Sequence, residues 1–416
     1  MKCIIVGAGM GGLTAATALR QQGYEVVVYE RVSELRPAGS GISVWSNGVK
    51  VLNSLGLGKE IAKVGGMMES MSYREAKEGE TYVELGLQPL YTRVHQRAYP
   101  VARTQLQRIL LEGAGEKNVH LSSAVVDYTV TPEGVSVTMA DGRTDSGDFL
   151  VVADGTHSKL RNKICQKVIP RRYAGYVNWN GPVLMSEMTD YVDTDCWTQF
   201  VGDGKRVAMM PMGDGGKFYF YFDASPERGP DIPLPTASGY KAELREHFAG
   251  WHPAVQRLID VVDESKIARA EIHDTDPLPT LIDPSGRALL IGDAAHATAP
   301  DLGQGGCQAM EDALVVALLL KKECGAGDVK PTAEELVRVV NQYQDIRAAR
   351  VASLVLRARA RAETTHALNG MPETEAWYVE LKSETGERII NGLCKTIETM
   401  PDIINNVVDH LPEALP

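Results

Sequence analysis

Cysteine is scarce in this sequence, and its positions do not pair. No two of the six cysteines form a C-x-x-C motif; they are Cys3, Cys165, Cys196, Cys307, Cys324 and Cys394. Zinc modules and small disulfide-bonded domains both need closely spaced cysteines. We therefore expect neither a metal site nor a disulfide framework, and a reducing cytoplasm is the expected location.

Positive charge and long apolar runs are also lacking. Lysine and arginine total 43 against 54 aspartates and glutamates, a formal net charge of -11. Nucleic acids and anionic membranes attract clustered cations, and a membrane helix needs about 18 or more apolar residues. The apolar stretch ending at Leu19 is interrupted by glycines, unlike a signal peptide. We expect no nucleic-acid partner, no membrane partner and no cleaved signal.

The start of the chain has the pattern of a nucleotide-binding β-α-β unit. Its periodicity predicts a strand over 3–9, a helix over about 11–22 and a strand over 25–30. The first turn reads G-x-G-x-x-G at Gly7, Gly9 and Gly12, and Glu30 ends the second strand. Such glycines let a pyrophosphate approach the helix N-terminus, and the acidic residue can bind a ribose diol. The motif predicts a dinucleotide ligand without separating FAD from NAD.

Strand patterns dominate the middle of the chain. A Gly/Pro-rich loop at 36–41 leads to less regular sequence up to about 97 and a predicted helix over 103–115. Turn residues at 132–134 predict a β-hairpin, and the pattern over 173–274 predicts strand after strand. ALLIGDAAH at 288–296 resumes the nucleotide-domain pattern, and the sequence beyond 303 is helical. A sheet domain is therefore expected as an insertion, which 416 residues can accommodate.

Two later segments resemble a known family. ADGTHSKLR (153–161) and GDAAHATAPDLGQGG (292–306) are similar to the D-G and G-D motifs of single-component flavoprotein aromatic hydroxylases. The resemblance implies an α/β fold of the p-hydroxybenzoate hydroxylase type, with a Rossmann-like FAD-binding domain, an inserted mixed β-sheet substrate domain and C-terminal helices. It also implies tightly bound FAD, transient NADH or NADPH, and O2 as a cosubstrate.

The same resemblance implies which residues bind FAD. They are Gly7, Gly9, Gly11, Gly12, Glu30, Arg31, Arg103, Val125, Asp154, Asp293, Gly303, Gly305 and Gly306. Asp293 would hold the ribityl chain; its alternative role is to cap the following helix. The glycines at 303–306 would bring a helix N-terminus towards the flavin ring and stabilise its negative charge. His296 and Cys307 are expected to be structural.

The strand pattern and the resemblance together predict a discontinuous domain arrangement. The FAD-binding domain is expected to comprise 1–72, 98–170 and 275–345, and the substrate-binding sheet domain 73–97 and 171–274. Residues 346–416 are expected to form a C-terminal helical region. The chain is expected to be a monomer or a homodimer, and the sequence does not choose between them.

Other segments resemble the bacterial urate hydroxylases within that family. They include RRYAGYVNWNG (171–181), GKRVAMMPMG (204–213) and KFYFYFD (217–223). This resemblance implies hydroxylation of urate at C5 to 5-hydroxyisourate through a flavin C4a-hydroperoxide. It makes Arg206 and Tyr219 the catalytic residues, and adds Pro300 and Gly303 as substrate contacts. Because arginine stays protonated, we expect Arg206 to bind anionic urate through its planar fork without removing a proton.

Alternative interpretations remain open at the level of sequence. The substrate could instead be a phenolic acid such as salicylate, or the chain could be a non-catalytic flavin-binding redox regulator. The alternative for Arg206 is an ion-paired strand residue beside Lys205. The preference for NADH or NADPH is not determined.

Overall fold

The structure is a computed structural model that describes residues 1–35, 41–213, 215–226, 239–327 and 329–408. Of the predicted loop at 36–41, only Gly41 lies within the described residues. The strands in chain order are β1 (Lys2–Val6), β2 (Glu25–Tyr29), β3 (Gly41–Val44), β4 (Ser70–Glu75), β5 (Thr81–Gly86), β6 (Tyr99–Ala102), β7 (Val119–His120), β8 (Val125–Thr131), β9 (Gly134–Met139), β10 (Thr144–Gly147), β11 (Phe149–Val152), β12 (Arg172–Leu184), β13 (Cys196–Gly202), β14 (Lys205–Met212), β15 (Lys217–Ala224), β16 (Ala268–Asp274) and β17 (Ala288–Leu290). The α-helices are α1 (Met10–Gln21), α2 (Ser46–Ser54), α3 (Gly58–Val64), α4 (Gln88–Val94), α5 (Arg103–Ala114), α6 (Leu160–Ile164), α7 (Tyr240–His247), α8 (Pro253–Val261), α9 (Asp293–His296), α10 (Gly305–Cys324), α11 (Ala333–Thr365), α12 (Met371–Ser383), α13 (Glu387–Glu398) and α14 (Asp402–Val408).

A five-stranded parallel sheet organises the nucleotide-binding part. Its strands lie in the order β17-β11-β1-β2-β7, and each neighbouring pair is parallel. The central strands β1 and β11 are almost wholly buried, as their continuous apolar sequence predicts. Helix α1 joins β1 to β2 and packs against α5 and α10. The predicted β-α-β unit is therefore confirmed, and the glycine turn lies between the carboxyl end of β1 and the start of α1.

A smaller antiparallel sheet lies beside the parallel one. Strands β8 and β9 pair directly across the turn at 132–133, and β10 adds to β9. The hairpin predicted from the turn residues at 132–134 is confirmed. This sheet carries Val125 at the first position of β8.

A seven-stranded mixed sheet forms the second layer, in the order β16-β12-β15-β14-β13-β4-β5. On one face Trp179, Phe220 and Phe222 pack against α7 and α8. These helices correct the sequence prediction of strands throughout 173–274. Helix α8 begins with Pro253, and the His252 side chain before it accepts a hydrogen bond from the Ala254 amide. A proline at the first helical position is a helix-start signal, but the prediction followed the surrounding strand pattern instead.

The opposite face of this sheet is polar. Residue pairing places Asn178 opposite Asp223, Asn180 opposite Tyr221, and Arg206 opposite Asp223. Because side chains alternate along a strand, these residues project from the same face. That face lies towards the parallel sheet, so the two sheets enclose a space between them.

Helices cover the molecule after residue 304. Helix α11 runs without interruption from Ala333 to Thr365, so the predicted domain boundary at 345/346 falls inside one helix. The boundary at 72/73 likewise falls inside β4, which belongs wholly to the seven-stranded sheet. Within the described ranges, no helix is long and apolar enough to cross a membrane.

Candidate active site

A cavity of about 480 Å³ separates the parallel sheet from the polar face of the seven-stranded sheet. We call its first side the glycine wall, which includes Gly9, Met10, Gly11, Arg103, Asp293, Gly305 and Gly306. We call its second side the sheet wall, which includes Asn178, Asn180, Arg206, Tyr219, Tyr221 and Asp301. Predicted contacts from distant parts of the sequence therefore meet at one cavity.

The turn between β1 and α1 has no room for a side chain at two of its glycines. Gly7 has φ 104°, and a Cβ there would overlap the Ala153 carbonyl oxygen. A Cβ at Gly12 would overlap the Gly7 carbonyl oxygen. At Gly9, by contrast, a Cβ would meet no atom of the described residues within 4 Å. Gly7 and Gly12 thus permit the turn itself, whereas Gly9 faces open space above the start of α1.

Several predicted cofactor contacts lie beside the cavity and do not line it. Glu30 accepts hydrogen bonds from the Ala8 amide at 2.7 Å and the Val32 amide at 3.1 Å, which fixes its carboxylate at the end of β2. Arg31 next to it is exposed, and Val125 is half-buried. A ligand that extends from the open space at Gly9 along the end of β2 would reach this group.

Asp154 follows the buried strand β11 and is partly withdrawn from solvent. Its Oδ1 is buried and has no hydrogen-bond partner among the described residues. Burial raises the pKa of its carboxyl, although Ser158, the local backbone and Arg161 act in the opposite direction. An unpartnered oxygen of this kind suits a ligand donor, since buried acceptors are costly to leave unpaired.

Asp293 projects into the cavity from the first residue of α9. The N-cap position of this short helix is Gly292, with φ 58°, and no side chain caps it. The alternative interpretation of Asp293 as a helix cap is therefore wrong. Its side chain is exposed and makes no hydrogen bond or ion pair within the part of the chain that the structure describes. It is available as a charged acceptor for a ligand hydroxyl.

The loop at 303–306 brings backbone close to the cavity. Gly303 has φ 62°, and a Cβ there would lie 2.7 Å from the Trp45 Nε1 atom. Helix α10 begins at Gly305, so its first amides point out of the helix without intrahelical acceptors. The open space at Gly9, the unpaired Asp293 and these amides fit a dinucleotide that carries a large planar ring.

Residues behind this loop are structural, as predicted. His296 is buried and its Nε2 lies 2.6 Å from Asp312 Oδ2, while Arg347 from α11 pairs with Glu311 and Asp312 at 2.6 Å each. Cys307 is also buried, and burial raises the pKa of its thiol to about 12. The thiol is therefore neutral and unreactive near neutral pH.

Arg206 is the central cation of the sheet wall. It is 6% exposed, its Nε and Nη2 donate to Asp223 at 2.9 and 2.8 Å, and Nη2 also donates to Asp301 at 3.1 Å. Burial by itself lowers its pKa, but Tyr221, Asp223 and Asp301 raise that pKa well above its ordinary value. The two interpretations of Arg206 from sequence are therefore not exclusive, because it is ion-paired and lines the cavity at once. Its Nη1 has no acceptor among the described residues.

Asp301 was not recognised from sequence. Its side chain is fully buried, accepts from Tyr176 Oη at 2.6 Å, and lies 3.4 Å from His366 Nε2. Burial raises its pKa, but His366, Arg206 and Tyr176 lower it to about 2. Its position two residues before the predicted contact Gly303 was the available signal, yet its partners come from β12, β14 and the end of α11.

Tyr219 and Pro300 lie where the resemblance implies, on the cavity lining. Tyr219 packs under Gly41, where a Cβ would lie 2.6 Å from the tyrosine Cβ. Burial raises the pKa of its hydroxyl, so Tyr219 stays protonated. Asn178, Asn180 and Tyr221 also line the cavity and were missed, although the alternation of 178/180 and 219/221/223 was visible in the sequence.

Comparison with known proteins gives consistent matches along the chain. A family model described as FAD binding domain matches residues 1–357. FAD-dependent urate hydroxylase of Klebsiella pneumoniae subsp. pneumoniae is 44% identical over 406 residues, covering 96% of this chain and 100% of that protein. FAD-dependent urate hydroxylase of Mycolicibacterium vanbaalenii is 44% identical over 400 residues, covering 95% and 96%.

Solved structures agree with these sequence matches. The crystal structure of Klebsiella pneumoniae HpxO complexed with FAD and uric acid is 43% identical, with a TM-score of 0.89 and coverage of 96% of this chain and 97% of that one. A salicylate hydroxylase substrate complex has a TM-score of 0.75 at 23% identity, covering 95% and 98%. The second similarity concerns the fold alone.

Proposed function

This chain belongs to the FAD-binding family whose model spans residues 1–357, and we propose that it is an FAD-dependent urate hydroxylase. One observation carries the proposal: the 44% identity extends over 96% of the chain, so it includes the sheet wall as well as the glycine wall. In the reaction, urate, O2, NAD(P)H and a proton give 5-hydroxyisourate, NAD(P)⁺ and water. The chain is accordingly a flavoprotein monooxygenase.

The glycine wall would hold the cofactor. Glu30 would accept from the ribose diol, Gly9 would leave room for the pyrophosphate, and Asp293 would accept from the ribityl hydroxyls. The amides at the start of α10 would lie against the pyrimidine edge of the ring, where the positive end of the helix dipole stabilises negative charge. When bound, FAD takes electrons from the nicotinamide nucleotide and activates oxygen.

The sheet wall supplies both donors and acceptors to the substrate. Urate presents alternating carbonyl and N–H groups around its rings. Arg206 Nη1 would donate to a carbonyl oxygen, and the amide and hydroxyl oxygens of this wall would accept from an N–H. The Asp301 carboxylate is fully buried, so it would hold the Arg206 guanidinium in place without meeting the substrate. Because its pKa is lowered to about 2, this carboxylate is a weak base at neutral pH, and the proton released during the reaction would pass to solvent.

The hydrogen-bonding groups of the sheet wall favour urate over a phenolic acid. Arg206 is balanced by the carboxylates of Asp223 and Asp301, both within 3.1 Å. Charge alone therefore does not choose between two anionic substrates, and the choice falls to the polar groups that line the cavity. A ring system with several N–H donors suits such a surface better, since it can satisfy acceptors that a benzoate cannot.

Substrate-dependent oxidation of NADH and NADPH tests the proposal. The purified FAD-loaded protein would be mixed with each nucleotide in air, with urate, with salicylate, or with neither. We expect urate alone to accelerate nucleotide oxidation, with nearly one urate consumed per nucleotide. Acceleration by salicylate and not by urate would assign the enzyme to phenolic acids, and no acceleration by either would favour the redox regulator.

Three further predictions stay open beside this function. We retain a cytoplasmic location, a monomer or homodimer, and a discontinuous division into FAD-binding, substrate-binding and helical parts. Six free, buried thiols support the reducing location. Light scattering coupled to gel filtration would determine the oligomeric state.

A further inference from the structure

A directed chain of hydrogen bonds crosses the sheet wall. Asp223, which is ion-paired with Arg206, accepts from Asn178 Nδ2 at 2.7 Å. A carboxylate in an ion pair can only accept, so the amide nitrogen of Asn178 must face it. The carbonyl oxygen of Asn178 then faces the other way and accepts from Asn180 Nδ2 at 2.6 Å.

This chain fixes the orientation of the last amide. If Asn180 were rotated by 180° about its final bond, its oxygen would face the oxygen of Asn178, and both would lose a partner. The carbonyl oxygen of Asn180 is therefore directed away from Asn178. It is buried and has no hydrogen-bond partner among the described residues, and Asn180 itself is 8% exposed and lines the cavity.

An acceptor that the fold orients and leaves unpaired at a cavity wall indicates a ligand donor. Resting on the urate hydroxylase function proposed above, we propose that Asn180 is a specificity-determining residue whose Oδ1 accepts a hydrogen bond from a ring N–H of the substrate. Asp223 sets this preference indirectly, because it orients Asn178 and, through it, Asn180. The residue thus selects cyclic ureides and related lactams over rings without an N–H at this point.

The neighbouring groups complement this acceptor. Arg206 lies two strands away on the same face and offers Nη1, for which the described part of the chain provides no acceptor, whereas Asn180 offers an acceptor. A substrate with adjacent carbonyl and N–H groups can satisfy both at once. An analogue that lacks the N–H would leave the buried oxygen unpaired, and sites built to bind such a group reject analogues without it.

N-methylated urates test the proposal, because each lacks one N–H. The dissociation constants of urate and of its four mono-N-methyl derivatives would be measured from the change in flavin absorbance, without NADH. For the wild-type protein, we expect the derivative methylated at the nitrogen facing Asn180 to bind about 10-fold or more weakly. In the isosteric variant Asn180→Leu, that discrimination should shrink to within about 3-fold, since the acceptor is gone.

A second variant protects the test against misfolding. Asn180→Asp keeps an oxygen acceptor at the same place and should still reject the same derivative. The ratio of FAD to protein and reduction by NADH without urate report whether each variant has folded, since neither involves Asn180. If Asn180→Leu loses FAD, the test rests on Asn180→Asp. An Asn180→Asp protein that binds urate and all four methylurates equally well would overturn the proposal.

Failure of this inference can be told from failure of the proposed function. A wild-type protein that neither binds nor hydroxylates urate would contradict the function itself. A wild-type protein that hydroxylates urate, with an Asn180→Leu variant that ranks the methylurates as the wild type does, would contradict only the role of Asn180.

Discussion

The two walls of the cavity are built in different ways. The glycine wall consists largely of backbone from short contiguous segments, and its key positions are defined by the absence of a side chain, as at Gly9 and Gly12. The sheet wall consists mainly of side chains that strand pairing brings together, such as Asn178 and Arg206, and Asp301 joins them from the turn before α10. Cofactor binding in this fold is therefore encoded locally, whereas substrate recognition depends on register across the whole sheet.

We expect the largest effect from Arg206→Gln on the sheet wall, which should impair substrate chemistry and leave cofactor binding intact. Removing the guanidinium leaves two buried carboxylates without their cation, and breaking a buried pair costs about 3–5 kcal/mol. We expect hydroxylation of urate to fall at least about 10-fold relative to nucleotide oxidation, with hydrogen peroxide formed instead. FAD binding should persist because the glycine wall is untouched. The ratio of urate consumed to NADH oxidised is the measurement.

Lys205→Gln is a matched control for that variant. It removes the neighbouring positive charge on β14, but Lys205 points to the opposite face and donates to the His247 carbonyl at 2.8 Å. Its ratio of urate to NADH should equal that of the wild type. An Arg206→Gln protein that also keeps this ratio would show that Arg206 does not act on the substrate.

On the glycine wall, Asp293→Ala tests a side chain where backbone otherwise dominates. A hydrogen bond to a charged acceptor is worth about 1.5–3 kcal/mol, so FAD should bind about 10- to 100-fold more weakly. Titration of the FAD-free protein by flavin fluorescence gives the dissociation constant. Once saturated with FAD, the variant should keep its ratio of urate to NADH. An unchanged FAD affinity would contradict the ribityl contact.

The smallest expected effects separate two glycines of the same turn. Gly12→Ala would force its new methyl group into the Gly7 carbonyl oxygen, and such overpacking costs about 1–3 kcal/mol. The Tm of the FAD-free protein should therefore fall by several degrees. The methyl group of Gly9→Ala would meet no atom within 4 Å in the described ranges of the chain, so this variant should leave that Tm unchanged and weaken only FAD binding. Equal Tm values for both variants would contradict this division.

The sequence predicts the glycine wall better than the sheet wall, because the first is built from local segments and the second depends on strand register. The glycine turn, Glu30 and the first crossover follow from local spacing, and the predicted fold class and FAD cofactor are confirmed by the family and structural matches. The local signals for Asp223 and Asp301, which are strand alternation and nearness to Gly303, do not give their roles, because those roles depend on Arg206, which reaches them only through strand pairing and packing. Helices α7 and α8 were missed since the surrounding strands dominated the pattern.

Helix α11 links the two walls by a fixed length. Its Arg347 pairs with Glu311 and Asp312 behind the glycine wall, and its Arg359 pairs with Asp274 at the end of β16. The two arginines are about 18 Å apart along the axis, at about 1.5 Å per residue. Inserting one residue between them would turn one arginine by about 100° relative to the other, so both pairs could not form together. Insertions and deletions in α11 should therefore be tolerated only outside the segment between Arg347 and Arg359.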